Sequence, residues 1–160
     1  MLAPILISSA FVLAVAALCF FKPNAGRIVL GIFFLIMALG VNGSFTFANP
    51  QAYVDYASGA LIPAYRGLAL TLVQMNPTIF GVLLMAYEVA MALLLLGRGK
   101  AVKAGLVGTM VFLVGISPLS FLQIPWLGLV IAEIYLLRKD FDRSLLDSIR
   151  ARLGASQPSG

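Results

Sequence analysis

Residues 78–97 read TIFGVLLMAYEVAMALLLLG. The run is about the twenty residues a helix needs to cross the hydrocarbon core of a bilayer, and Glu88 sits near its middle. A charged carboxylate at that depth costs at least about 2.5–3.5 kcal/mol even on lenient insertion scales. The side chain therefore needs a proton, a partner or water, and the rest of the chain has to supply its surroundings.

Composition supports a membrane reading. Of 160 residues, 61% are hydrophobic and 11% charged, well below the roughly 25% charged content of soluble domains. Continuous apolar runs rather than period-two alternation select helices over a closed barrel. The expected fold is all-α, a polytopic membrane helical bundle with five transmembrane helices over 2–21, 28–47, 78–97, 104–119 and 121–137. The first run has no Lys or Arg before it, so it lacks the basic leader of a cleaved signal and reads as a retained helix. Residues 1–137 then form one transmembrane domain.

Between the second and third spans, 48–76 carries two helix-start signals, Asn49-Pro50 and Ile62-Pro63, with Gly59 placed to end the first helix. Asn76-Pro77 repeats the signal as a cap for the Glu88 span. The segment is expected at the membrane surface. Beyond residue 137 the composition becomes strongly charged, and Leu145, Leu146, Ile149 and Leu153 fall on one helical face. That pattern predicts an amphipathic helix over 138–153, lying along the cytosolic surface, followed by a flexible tail at 154–160.

Charge sets the expected orientation. With five crossings and the N-terminus outside, Lys22, Arg27, Arg98, Lys100, Lys103, Arg138, Lys139, Arg143, Arg150 and Arg152 share the inner side, and only Arg66 is outside. The positive-inside rule favours that arrangement, N-terminus out and C-terminus in. Membrane lipids account for the basic residues as partners. Nucleic acid does not, because the charges are scattered over short loops rather than gathered into a stripe.

Several chemistries lack the residues to carry them. A single cysteine, Cys19, excludes an intramolecular disulfide and multi-cysteine metal sites. The absence of histidine removes the usual haem and zinc ligand, and no metal is expected. No catalytic triad, Cys-His pair or P-loop is recognisable, so the chain does not read as an enzyme.

The candidate site is Glu88 with neutral partners, Asn42, Thr109 or Tyr87, and its role is open between a structural hydrogen bond and a ligand- or proton-binding carboxyl. Tyr53 and Tyr56 are three residues apart and share a helical face. Together with Asp55, Tyr65 and Arg66 they either rim a cavity over Glu88 or form an aromatic belt with an Asp55–Arg66 surface pair. Glu133, a turn from Arg138, is expected to reach the interface. Gly105, Gly108 and Gly115 align for close contact between helices.

From Arg27 onward the chain resembles the DoxX-like family of small bacterial and archaeal membrane proteins. The resemblance rests on Arg27 followed by Leu30, Gly31 and Phe34, on a proline-bearing outer segment, and on Glu88-Val-Ala-Met-Ala-Leu-Leu-Leu-Leu-Gly97. It covers roughly 27–140 and implies a four-helix unit to which the first helix is an addition, in a prokaryotic plasma membrane. Family members often carry a Lys late in the second span; here that region reads Leu39-Gly40-Val41-Asn42-Gly43, and Asn42 brings no charge. The family's links, to quinone-dependent thiosulfate oxidation and to redox or accessory roles in membrane complexes, imply a broad range of functions. The first choice is an accessory or scaffold subunit whose glycine-rich faces and basic cytosolic helix dock a membrane-protein partner or a second copy. The alternative is a redox subunit with no cofactor of its own beyond a bound lipid or quinone. A proton-coupled carrier ranks third, since only one central carboxylate is evident and no inverted repeat is seen.

Overall fold

The computed structural model describes residues 2–147, 149 and 150, and among them there is helix and no strand. Helix α1 spans Leu2–Phe21, α2 Pro23–Ile36, α3 Gly43–Ala48, α4 Gln51–Ser58, α5 Pro63–Met75, α6 Pro77–Leu96, α7 Lys100–Ile116 and α8 Leu127–Leu137. A π-helical turn, Met37–Asn42, joins α2 to α3, and two 3-10 turns, Ser117–Leu119 and Phe121–Trp126, join α7 to α8.

Among the described residues, four segments are long and apolar enough to cross a membrane: Leu2–Phe21, Pro23–Ala48, Pro77–Leu96 and Lys100–Leu119. This is compatible with an integral membrane protein. The expected fifth span is divided. Pro125 lies inside the 3-10 turn, where a proline interrupts regular helical hydrogen bonding, and α8 alone has 11 residues, about 16 Å of rise against a core of about 30 Å. The second span begins at Pro23 rather than 28, because Pro23 occupies the first helical turn, where its missing N–H costs nothing.

The long helices close into a ring: α1 packs on α2 and α8, α2 on α6, α6 on α7, and α7 on α8. Leu30, Phe34, Leu95, Leu106, Leu129 and Leu136 meet at its centre, all essentially without exposure. Glycines set the closest approaches. A Cβ on Gly105 would lie 3.0 Å from Leu94 and Leu95, and one on Gly108 would collide with Met91. Gly105 and Gly108 of α7 are thus used against α6 of the same chain, whereas a Cβ on Gly115 would meet nothing within 4 Å.

At the basic end of the bundle, α1, α6 and α8 finish while α2 and α7 begin. Arg27, one turn into α2 and fully buried, organises this end. Its Nη1 donates to the carbonyls of Leu95 at 2.6 Å and Gly97 at 2.9 Å, its Nη2 to Arg143, and its Nε to Asn24 Oδ1 at 2.9 Å. The guanidinium lies 5.1 Å from the centre of the Phe141 ring. Phe141 O in turn accepts from Gly99 N at 2.7 Å. A cation therefore stands at the negative end of the α6 dipole and satisfies carbonyls that the end of a helix leaves unpaired.

The chain after α8 is non-helical over 139–144 and helical at 145–147, 149 and 150; the remainder of the expected helix, 151–153, and the expected tail at 154–160 lie outside the described residues. Ser144 Oγ accepts from Asp147 N at 3.2 Å while Asp147 Oδ2 accepts from Ser144 N at 2.9 Å, a reciprocal cap for this helix start. These bonds from the Ser144 backbone and hydroxyl hold the Asp147 carboxyl below its ordinary pKa.

At the opposite end, α4 and α5 fold over the bundle. Asn76 Oδ1 accepts from Ile79 N at 3.0 Å and Pro77 follows it, the expected cap. Pro63 opens α5 and Gly59 closes α4, also as expected. Leu61 N donates to Pro118 O at 2.9 Å and Tyr65 OH donates to Gly115 O, fastening this cover to the end of α7.

Candidate functional site

The π turn places Asn42. A helical residue is rotated by about 100° from its neighbour, so the wider turn at 37–42 shifts the register of all that follows it. Ser44 Oγ donates to Gly40 O at 2.6 Å, supporting a carbonyl inside the widened turn. Such turns recur at functional sites. Here Asn42 is its last residue and is turned inward, with 7% exposure.

Asn42 Nδ2 donates to Glu88 Oε2 at 2.7 Å, and Glu88 is itself 1% exposed on α6. The other face of the Asn42 amide meets Tyr53. The Tyr53 hydroxyl donates to Asn42 O at 3.0 Å, with Asn42 Oδ1 at 3.3 Å, and lies 2.9 Å from Thr46 Oγ1. Since the phenol has one proton, the consistent direction runs from Thr46 to Tyr53 to Asn42 to Glu88. Gly81 of α6 permits this closeness, because a Cβ there would collide with Thr46 Oγ1 and the Tyr53 ring.

A cavity of about 400 Å³ lies over this chain of groups, within the range typical of small-ligand sites. Asn42 and Glu88 are in its wall, Tyr53, Tyr56 and Tyr65 line it from the α4–α5 side, and Phe33, Phe34, Phe80, Phe112 and Trp126 complete an aromatic lining. Among the described residues its wall contains no Lys or Arg, and Glu88 is its sole carboxyl. An apolar chamber thus ends on one carboxyl already holding one hydrogen bond.

Two expected members stand elsewhere. Tyr87 faces away from the cavity, its hydroxyl donating to Gly108 O at 2.8 Å; adjacent helix positions diverge too far to share a face with Glu88. Arg66 donates through Nε and Nη2 to Ala60 O at 3.1 and 2.8 Å, so it holds the turn between α4 and α5 and is absent from the cavity wall. The ion pair with Asp55 is not formed; Lys103–Asp140 at 3.3 Å is the one ion pair among the described residues.

Glu133 departs from the interfacial position expected of it. It is fully buried between α8 and its neighbours, with the Cys19 thiol and the Thr109 hydroxyl nearby. Thr109 Oγ1 donates to the carbonyls of Gly105 and Leu106, at 3.0 Å each. The Thr109 hydroxyl is the one group placed to serve the Glu133 carboxyl, and no well-formed hydrogen bond to either Glu133 oxygen is made among the described residues. An unsatisfied buried polar group carries its full desolvation penalty. Replacing Glu133 by Met is therefore expected to raise thermal stability in mild detergent, by about 1–3 kcal/mol. A lower unfolding midpoint for Glu133→Met would show instead that the carboxyl contributes to the fold.

No model of a known protein family, no curated protein and no solved structure matches the chain. What fold and site define together is a class: an apolar helical bundle enclosing an aromatic cavity that ends on an Asn–carboxyl pair.

Proposed function

We propose that the chain is a membrane-embedded binding protein for an amphiphile whose polar head meets Glu88 and Asn42 while its apolar part fills the aromatic cavity. The observation that carries this reading is the cavity ending on the Asn42–Glu88 pair. An accessory or scaffold role draws on glycine-rich faces and a basic cytosolic helix as docking surfaces; of the glycines, Gly105 and Gly108 are occupied by α6, which weakens the first of these two grounds. The basic end faces the cytoplasm in this reading, with the cavity in the outer half of the membrane.

The lining also selects a head group. An ionised Glu88 takes a hydroxyl or amine donor, and a protonated one donates to a carbonyl or hydroxyl. A phosphate or carboxylate head finds no basic side chain in the wall and meets a like charge. Long-chain alcohols, amines and prenylated quinones or quinols have the right chemistry, and the last agrees with what the DoxX-like resemblance implies.

Equilibrium binding of octadecanol and of octadecyl phosphate to the purified chain tests this. The alcohol is expected to bind at least about tenfold tighter, a difference of 1.4 kcal/mol, and Glu88→Gln is expected to weaken it by a similar factor. Equal binding of the two, unaffected by Glu88→Gln, would remove the carboxyl from the site.

A further inference from the structure

A second hollow adjoins the cavity. It is a groove lined by Pro4, Ile7, Ser8 and Phe11 of α1 together with Phe33 and Trp126, and it is open at the surface, where Ile7 is 71% exposed. Phe33 and Trp126 also line the inner cavity. The two hollows are thus separated by one pair of rings, stacked with centroids 5.1 Å apart and 20° between planes. Phe11 leans on both, its centroid 5.1 Å from Phe33 and 5.8 Å from Trp126.

The wall is built to be movable. Phe33 and Trp126 are only partly buried, and the Phe33 ring has no polar atom by which a hydrogen bond could hold it. Trp126 ends a 3-10 turn rather than standing within a long α-helix, and 3-10 geometry holds less well than α-helical geometry. The α4–α5 cover, by contrast, is fastened by the Leu61 N to Pro118 O and Tyr65 OH to Gly115 O hydrogen bonds. The Phe33–Trp126 side is the one that adjoins the exposed Ile7 and Phe11 of α1.

We infer that the Phe33–Trp126 pair is a lateral gate, through which the cavity is loaded with a bilayer-dissolved, non-anionic amphiphile that first rests in the α1 groove. This rests on the binding function proposed above. The occupant of the groove is the ligand in transit: an apolar chain suits a groove of Pro, Ile and Phe, and the two hollows are continuous once one ring turns aside. Because Ser8 and Phe11 of the α1 groove are not part of the cavity wall, changing them alters rates, and changing Glu88 alters affinity.

Trp126 is the single tryptophan of the chain, so its fluorescence reports on the gate directly. The full chain is placed in lipid nanodiscs and mixed with vesicles carrying a low fraction of octadecanol dibrominated at mid-chain, a contact quencher. Ser8→Phe, which fills the groove, is expected to slow quenching about tenfold with the dissociation constant unchanged, and Phe11→Leu, which removes the ring leaning on Phe33 and Trp126, to speed both uptake and release by a similar factor. Glu88→Gln is expected to weaken binding without slowing uptake. If both gate variants keep wild-type uptake rates while binding still depends on Glu88, loading follows another path and the gate is overturned alone. If binding is indifferent to Glu88→Gln, the binding site itself is wrong.

Discussion

Arg27→Leu is expected to give the largest loss of stability of any single substitution in the chain, about 3 kcal/mol or more. Leucine fits the apolar surroundings, yet it leaves the carbonyls of Leu95, Gly97 and Arg143 without the donor that now serves all three. It also removes the cation beneath Phe141. Arg27→Lys keeps the charge but not the planar fork that reaches several acceptors at once, so about half of the loss is expected to remain. Thermal unfolding in mild detergent measures both. Hydrogen exchange supplies a local check, since the Gly99 amide is bonded to Phe141 O and is expected to lose protection in Arg27→Leu before the helix interiors do. A variant with an unchanged midpoint and a protected Gly99 would show that the guanidinium is not the fastening of this end.

Gly115→Phe is expected to abolish ligand binding with little effect on stability. A Cβ at Gly115 meets nothing within 4 Å, and the residue lies in the cavity wall. The added ring therefore has open space to enter, unlike one at Gly105 or Gly108, where a side chain is already in place. Its phenyl group takes up volume that an apolar ligand requires, and a loss of about a hundredfold in affinity is expected, or about 2.7 kcal/mol. Equilibrium binding of octadecanol measures the first effect and thermal unfolding the second. Full affinity in a stable Gly115→Phe chain would place the ligand elsewhere.

How much of this was legible in the sequence depends on whether a signal was local. The Asn76-Pro77 and Ile62-Pro63 starts are read from two residues each, and both open helices where expected. Glu88 stands out because an apolar run makes any carboxyl conspicuous, and Asn42 is the one amide late in the neighbouring span. Their contact was harder to foresee. It depends on the π turn, and MALGVN carries no periodicity that distinguishes six π residues from six α residues.

Arg27 was misplaced for a different reason. Lys22 to Arg27 has the Pro, Asn and Gly of a loop, whereas Pro23 at the first helical position puts Arg27 inside the helix; the spacing from that proline was the available signal. Glu133 looked interfacial because Arg138 follows it by five residues. That spacing does not bring two side chains onto the same face as reliably as three or four would, and the structure turns Glu133 to the interior. Tyr87 and Arg66 fall outside the cavity wall, since neighbourhood in sequence or on one side of a membrane does not imply a shared surface. The cavity itself is lined by residues from α2 through α7 and from the 3-10 turns before α8, and has no sequence signal at all.

The most direct measurement is native mass spectrometry of the chain extracted in a mild detergent and released in the gas phase. An adduct of a single-headed, non-anionic amphiphile retained by the wild type, weakened by Glu88→Gln and absent from a folded Gly115→Phe chain, is the expected result. A bare chain in all three, or an adduct that survives both substitutions, would contradict the assignment of this cavity as a ligand site.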